Sequence, residues 1–231
     1  GVPYLGLLHG AAGIGLALTK LARVTGEERY LDVAESAASL LLAQARAGDS
    51  GDDCLTWPRR LGDDSPGLQA HCHGAGGIGQ FFLYLNRLTP DRRYRSAARR
   101  AARTLVAQLG DESRSCLCHG LAGTGHLMLD CYQALGDSHW LELALECGAQ
   151  LHRFRDPERT GVYRMTRDGV VSPDLMLGYA GVGSLLIRLV NPQTSEEIVL
   201  GRAVTFRETG RDDVLQGGAA DARARVPQTF E

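Results

Sequence analysis

The chain has no long hydrophobic run and almost no excess of charge of either sign. No apolar stretch reaches the ~18 residues that a membrane-spanning helix needs, so the sequence predicts no membrane span. Its 25 basic and 27 acidic residues give a net charge of −2, which provides no overall field to attract nucleic acid. We therefore expect a protein that neither crosses a membrane nor binds nucleic acid.

Cysteine is too sparse for a disulfide scaffold, because six cysteines in 231 residues fall far below the density of small secreted proteins. The first residues carry neither a basic segment nor a signal-type cleavage site. These features predict a cytoplasmic protein in which each cysteine is a small buried residue or a metal-binding thiolate. The sequence opens directly on a motif, and we expect it to be a fragment or a processed piece.

Glycine, in contrast, is abundant and follows a repeated pattern. Four segments carry glycines at relative positions 0, 3 and 5, followed by an aliphatic stretch; their first glycines are Gly10, Gly74, Gly120 and Gly178. In three of them an aromatic residue stands twenty positions after the first glycine, at Tyr30, Tyr94 and Trp140. A fixed unit with connectors of variable length is typical of repeated helical hairpins.

The residues after each aromatic follow the period of an amphipathic helix. Apolar side chains recur at offsets 0, 3, 4, 7 and 11 from each aromatic, which places them on one face. The stretch before each aromatic is apolar on more sides, as an inner helix would be. The sequence predicts seven helices, over residues 11–24, 28–46, 75–88, 92–109, 121–135, 138–153 and 179–190.

Two connections and the C-terminal segment interrupt the helical pattern. Residues 47–69 are expected to form a loop, and residues 162–171 a short hairpin around an Asp-Gly turn. After residue 191 the sequence becomes polar and loses its apolar stripe. We therefore predict one domain over residues 1–191 and a polar, poorly ordered tail over residues 192–231.

The residues just before the first glycines carry the chemistry. Cys-His-Gly occurs twice, at Cys72-His73 and at Cys118-His119, and His9 holds the equivalent histidine position in the first unit. Equivalent residues of stacked hairpins lie at the same end of the assembly, so we expect these side chains to converge. Two thiolates and one histidine form a three-ligand set for Zn²⁺, with a fourth position for water or substrate.

The other cysteines have simpler explanations. Cys131 and Cys147 occupy helix positions where the other units carry leucine or alanine, so a core position is expected for both. Cys116 has no equivalent thiol in the other units, and Cys54 lies in a predicted loop. Neither position indicates a metal ligand.

One predicted helix is rich in arginine. Six arginines fall between residues 92 and 103, on the face opposite Tyr94, Ala98 and Ala101. A run of this kind is typical of a solvated outer face, and a peptide-docking surface is the alternative. The sequence alone leaves both interpretations open.

The order of the motifs resembles a known family. His-Gly-x-x-Gly, Cys-x-Gly and Cys-His-Gly on successive hairpins resemble the lanthionine synthetase C-like (LanC-like) cyclases, over residues 4–190. The resemblance implies an all-α fold, an α/α toroid built as a double ring of helical hairpins, with about four of its seven repeats present. Such domains also end multifunctional lanthipeptide synthetases, so it also implies a fused or associated kinase, lyase or dehydratase as a partner.

The resemblance also implies the roles of the site residues. The family's zinc ligands fall on Cys72, Cys118 and His119, and its proton-transfer histidine falls on His9. His73 takes a position near the substrate, and we expect His9 and His73 to be catalytic. The implied reaction adds a cysteine thiol of a precursor peptide to dehydroalanine or dehydrobutyrine, which closes a (methyl)lanthionine ring. Zinc would hold that thiol as a thiolate.

Three departures from the family pattern keep other functions open. His71 stands where a tryptophan usually precedes the first ligand, Leu68 replaces an arginine of some members, and the family's acidic active-site residue belongs to earlier repeats. The alternatives are a non-catalytic toroid that binds peptide or thiol ligands, and a truncated, inactive cyclase fragment. A zinc-free cyclase conflicts with the intact ligand set, and a toroidal glycosidase would need paired carboxylates.

Overall fold

The computed structural model describes residues 2–48 and 51–195, and this part of the chain is mostly helical. Its α-helices are α1 (Ala11–Thr25), α2 (Glu28–Gln44), α3 (Ala75–Leu88), α4 (Arg92–Ala107), α5 (Leu121–Leu135), α6 (Ser138–Gln150) and α7 (Tyr179–Val190). Each lies within a few residues of its predicted range, and the last predicted turn of α6 is the 3₁₀ segment Leu151–Phe154. The predicted tail lies outside the described residues from position 196 onward.

Glycine and aspartate set the ends of the helices. α1 and α5 each end at a glycine in the left-handed conformation, Gly26 and Gly136, with φ of 75° in both. Each glycine N–H donates to a carbonyl in the last turn of its helix. α4 and α6 follow Asp91 and Asp137, whose carboxylates accept the backbone N–H two residues further on. The hairpin turns are therefore determined locally.

The helices form two layers. α1, α3, α5 and α7 contact one another in that order, and α2, α4 and α6 pack on their outer side. Eleven of the fourteen residues of α3 are buried, against seven of sixteen in α4, which identifies α3 as an inner helix. Within the described residues no helix is both long enough and apolar enough to cross a membrane. The layering is the predicted arc of a double ring.

The glycine pattern provides room for packing between neighbouring repeats. In each repeat, the glycine at relative position 3 packs against a side chain of the preceding repeat. That side chain belongs to the residue three places before the first glycine of the preceding repeat. A Cβ there would lie within 2.4–3.0 Å of that neighbour, in the pairs Gly77 with Leu7, Gly123 with His71 and Gly181 with Leu117. The inner helices can therefore approach only where a side chain is absent.

The glycine at relative position 5 does the same for the following repeat. Its neighbour is the residue seven places after the first glycine of the following repeat. A Cβ on the position-5 glycine would lie 2.5–3.4 Å from that side chain, in the pairs Gly15 with Phe81, Gly79 with Leu127 and Gly125 with Leu185. Gly183 holds this position in the last described repeat, and a Cβ there would meet none of the described residues within 4 Å. Positions 3 and 5 thus contact the preceding and the following repeat, respectively.

A buried polar network joins α3, α5 and α7. Asp130 accepts from Gln80 Nε2 at 2.9 Å and from the Arg188 guanidinium at 2.8 Å. The same guanidinium donates to His126 Nδ1 at 2.8 Å, so the ring proton lies on His126 Nε2, 3.0 Å from Ser184 Oγ. Burial and the charge of Arg188 lower the pKa of His126, which therefore stays neutral. The network joins three inner helices, which gives it a structural role, although Gln80 Oε1 and Arg188 Nε have no hydrogen-bond partner among the described residues.

The predicted loop 47–69 contains a small sheet instead of being wholly irregular. Strand β1 (Arg46–Gly48) pairs antiparallel with strand β2 (Gly51–Thr56), and α2 ends two residues earlier than predicted. The sheet is stabilised by a distant helix, because Thr104 Oγ1 of α4 donates to the Leu55 carbonyl at 2.7 Å. The prediction missed β2 because its first residues are glycine and aspartate, which are uncommon in strands.

The prediction of a hairpin over residues 162–171 gave the first arm the wrong pairing partner. Between its two arms the backbone forms the 3.3 Å hydrogen bond from Met165 to Val170, whereas Asp156 N–H donates to Val162 O at 2.9 Å and Arg164 N–H to Phe154 O at 2.8 Å. The first arm therefore pairs with the segment that precedes it. The carboxylate of Asp156 holds this arrangement, since it pairs with the Arg164 guanidinium at 3.1 Å.

Substitution of one inner-helix glycine should test the packing role of the repeated glycines. A Cβ at position 123 would lie 2.2 Å from the Leu117 carbonyl oxygen and 3.0 Å from His71 Cβ, so Gly123→Ala forces backbone to move. We expect a loss of about 1–3 kcal/mol in the free energy of unfolding, measured by urea titration. Gly183→Ala is the control, and helix propensity predicts no loss or a gain of up to ~1 kcal/mol. Equal effects of the two substitutions would contradict the packing role.

Candidate metal centre

A line of backbone hydrogen bonds joins the residues that stand two places before each first glycine. Leu8 N–H donates to Cys72 O at 3.2 Å, Cys72 N–H to Cys118 O at 3.0 Å, and Cys118 N–H to Met176 O at 2.8 Å. Four equivalent residues of four repeats therefore lie side by side at the N-terminal ends of the inner helices. This line makes the two cysteines of the Cys-His-Gly motifs direct neighbours.

The two cysteines and one histidine form a compact donor group. The Sγ atoms of Cys72 and Cys118 and a ring nitrogen of His119 all lie within 4.8 Å of one another. Among residues 2–48 and 51–195 no other cluster of three histidine, cysteine or acidic side chains meets this criterion. Ligand atoms of a tetrahedral zinc ion, with bonds of ~2.0–2.3 Å, lie at nearly this spacing. The donor set therefore fits a zinc ion after small side-chain adjustments.

The protonation of this group also suits a cation. The Cys118 thiol donates a hydrogen bond to Cys72, which lowers the pKa of Cys72 although burial opposes the shift. The same hydrogen bond, with burial and the charge of Cys72, raises the pKa of Cys118. Burial and the nearby Arg114 lower the pKa of His119, so its imidazole is neutral and able to bind metal. A divalent cation would remove the remaining thiol proton.

The two histidines expected to be catalytic lie beside each other. The ring centroids of His9 and His73 are 5.7 Å apart, and the Tyr4 ring lies 6.4 Å from the first and 6.3 Å from the second. His9 is exposed, whereas His73 is half-buried and its Nδ1 atom has no hydrogen-bond partner within the described part of the chain. Burial lowers the pKa of His73, and the charge of Arg59 adds to this effect.

The structure adds residues to this region that the sequence did not predict. Arg60 lies over the Tyr4 ring, with 4.6 Å between its Cζ atom and the centroid, and its guanidinium donates to the Tyr4 hydroxyl. That hydrogen bond lowers the pKa of Tyr4. Tyr4 and Arg114 both stand six places before their first glycines, a repeat position that comparison of the units could have revealed. Arg59 and Arg60 come from a connecting segment and had no such signal.

The remaining candidates lie outside the donor group. His71 is only 1% exposed, and burial lowers its pKa to about 4, so it stays neutral. It occupies the packing position that leucines hold in neighbouring repeats. Burial raises the pKa of Cys116 and raises that of Cys147 to about 12. Cys131 and Cys147 lie in the hydrophobic core, as expected.

Comparison with known proteins gives a family and a fold. The sequence matches the family model described as lanthionine synthetase C-like protein over residues 1–200. Nisin cyclase is a similar solved structure, with a TM-score of 0.63 and 17% identity over 83% of this chain and 47% of its own. No curated protein matches the sequence.

Two carbohydrate-active enzymes are also similar in structure. The GH76 α-mannanase of Bacteroides thetaiotaomicron has a TM-score of 0.56 and 19% identity, over 78% of this chain and 51% of that enzyme. A polysaccharide lyase has a TM-score of 0.55 and 16% identity, over 84% of this chain and 55% of that enzyme. The chain thus spans about half the length of these three structures. The likeness shows the fold, and the prediction of an all-α toroid is confirmed.

Removal of either cysteine thiol should empty the metal site. We expect purified protein to bind one Zn²⁺ per chain, and Cys72→Ala or Cys118→Ala to lose it, because two ligands seldom hold zinc against competing solutes. Cys131→Ala is the control, since that thiol is buried in the core. Zinc content would be measured by elemental mass spectrometry. Equal zinc content in all three variants would show that these thiols do not bind the metal.

Proposed function

The chain belongs to the lanthionine synthetase C-like family, and on that premise we propose that it carries the zinc site of a peptide cyclase that closes thioether rings. One observation carries the proposal: two repeat-equivalent Cys-His pairs converge so that the Cys72 and Cys118 thiols and the His119 imidazole lie within 4.8 Å of one another. The substrate is a dehydrated precursor peptide that contains cysteine. The product contains lanthionine or methyllanthionine.

The reaction needs an activated thiol and a returned proton. The sulfur of a peptide cysteine loses its proton and forms a bond to the β-carbon of dehydroalanine or dehydrobutyrine. The π electrons move onto the enolate, and one proton is then added to the α-carbon. When bound, zinc lowers the pKa of the substrate thiol and holds it as a nucleophilic thiolate. The remaining steps are proton transfers, which histidine performs near neutral pH.

The protein residues divide this work. Cys72 and Cys118 supply two negative charges to the metal, and His119 completes the ligand set as a neutral imidazole. His9 is exposed and lies outside the donor group, so we assign it the protonation of the α-carbon. His73 lies beside His9, with 5.7 Å between the ring centroids, and directly follows Cys72 in the sequence, so we assign it the positioning of the peptide.

Fixed positive charge lies beside these histidines. The guanidinium carbons of Arg59 and Arg60 lie 5.4 Å and 4.6 Å from the centroid of the Tyr4 ring, and Tyr4 contacts both His9 and His73. The enolate oxygen becomes negative as the carbon–sulfur bond forms. A pre-positioned cation stabilises this charge without reorganisation of the site. The two arginines therefore favour ring closure at this end of the helices.

The arc of the ring that this chain provides favours a second candidate function. It covers 47% of nisin cyclase, and α1 leaves Ile14 61% exposed on an apolar face. A chain of this extent would bind zinc and thiol or peptide ligands without turnover. Cytoplasmic location and a kinase, lyase or dehydratase partner remain expectations from the sequence. Ring-formation assays on the complete cyclase domain and on this chain separate the two functions.

Substitution of two equivalent histidines tests the assigned roles. In the complete cyclase domain, His9→Asn should keep its zinc and lower ring formation by ~10²–10⁴-fold, as expected for loss of a general acid. His119→Asn should lose zinc and activity together. His152→Asn changes an exposed histidine outside the site and is the control. The measurements are zinc content and the rate at which free thiols of the peptide disappear. Zinc loss in His9→Asn with zinc retention in His119→Asn would reverse the roles.

A further inference from the structure

The outer helix of the second repeat differs in charge from its two counterparts. Six of the sixteen residues of α4 are arginines, and none is acidic. The equivalent helices carry acids instead, with two glutamates and one aspartate in α2 and two glutamates in α6. α4 also packs on strand β2, unlike α2 and α6, and one of its arginines, Arg103, pairs there with Asp53.

The arginines of α4 lie where they destabilise their own helix. Arg92 and Arg95 stand in the first turn, where the positive end of the helix dipole favours acidic residues. Arg95, Arg99 and Arg103 follow at intervals of four, the spacing at which like charges repel. Among these exposed residues, Arg103 pairs with Asp53 at 3.1 Å. An anionic ligand would relieve this repulsion.

The geometry of the arginines suits a short extended ligand. Arg92, Arg95, Arg99 and Arg103 lie on one line along α4, about 16 Å long at the usual rise per residue. A groove of about 370 Å³ is lined by Asp53, Arg92, Arg95, Ser96, Arg99, Arg100 and Arg103. An extended peptide places every second side chain ~6.6 Å apart, close to the ~6 Å between helix positions four apart.

A second, smaller cavity adjoins this groove. It measures about 130 Å³ and shares Arg99 and Arg103 with the groove. Val106 of α4 and Trp140 and Leu143 of α6 form its apolar walls, and Asp137 and His139 also line it. One aliphatic side chain of a bound ligand would fit there, next to two guanidinium groups.

We propose that the arginine face, defined as Arg92, Arg95, Arg99, Arg100 and Arg103, binds an acidic peptide segment with one apolar side chain. Alternate acidic residues pair with the guanidinium groups, and the apolar residue enters the small cavity beside Trp140. The acidic helices α2 and α6 on either side repel a long polyanion such as nucleic acid. The ~16 Å length of the face matches about five extended residues, at ~3.3 Å per residue. The proposal does not depend on the metal centre.

Fluorescence anisotropy with a labelled peptide tests this proposal. The probe is a nonapeptide with glutamate at alternate positions and one leucine, titrated with the complete chain at low and high salt. We expect saturable binding that weakens with salt, and Arg99→Glu should lower the affinity at least tenfold. Arg29→Glu makes the same charge change on α2 and is the matched control, with less than a twofold effect expected. Neither substitution should alter zinc content.

Trp140 gives an independent readout within the small cavity. Binding of the leucine should change its emission, whereas Trp57 is fully buried against Phe82 and should not respond. The change should disappear in Trp140→Phe and with a peptide that has serine in place of leucine. The proposal is overturned if the glutamine analogue of the peptide binds equally well, or if a short DNA duplex binds more tightly. The proposal would also be overturned if the peptide binds with a Kd above about 1 mM or does not bind at all.

Discussion

The hydrogen bonds that run from Leu8 through Cys72 and Cys118 to Met176 hold the N-terminal ends of four inner helices side by side. They require the helices to approach closely, which is where the repeated glycines act. Gly77 and Gly123 leave room for side chains of the preceding repeat, and a methyl group at either would collide with backbone oxygen. The metal donor group exists because this line places its two thiols next to each other.

Ionisable side chains of the inner helices have different surroundings in the core and at the N-terminal ends of these helices. In the core, Arg188 donates hydrogen bonds to Asp130 and to His126, and Gln80 donates to Asp130, which links α3, α5 and α7 in a defined arrangement. At the helix ends, the Cys118 thiol donates a hydrogen bond to Cys72, and a ring nitrogen of His119 lies within 4.8 Å of both sulfur atoms, a donor set that would suit a cation. The first arrangement is structural, and the second is open to a ligand.

The fold does not decide the function of this chain. An α-mannanase and a polysaccharide lyase are similar in structure to this chain, as nisin cyclase is, at TM-scores of 0.55–0.63. The feature of this chain that bears on its chemistry is the residue two places before each first glycine. Cysteine at this position in two adjacent repeats provides a soft metal-binding pair, for which zinc is a suitable ion.

The sequence by itself determined the helices and the convergence of the two Cys-His pairs. Helix period, capping residues and repeat spacing are local signals, and equivalence between repeats converts them into proximity. The tertiary structure decided the pairing of β2, the partner of the segment around Val162, and the position of Arg59 and Arg60 beside Tyr4. These contacts join segments with no repeat equivalent, so their partners depend on packing between distant parts of the chain.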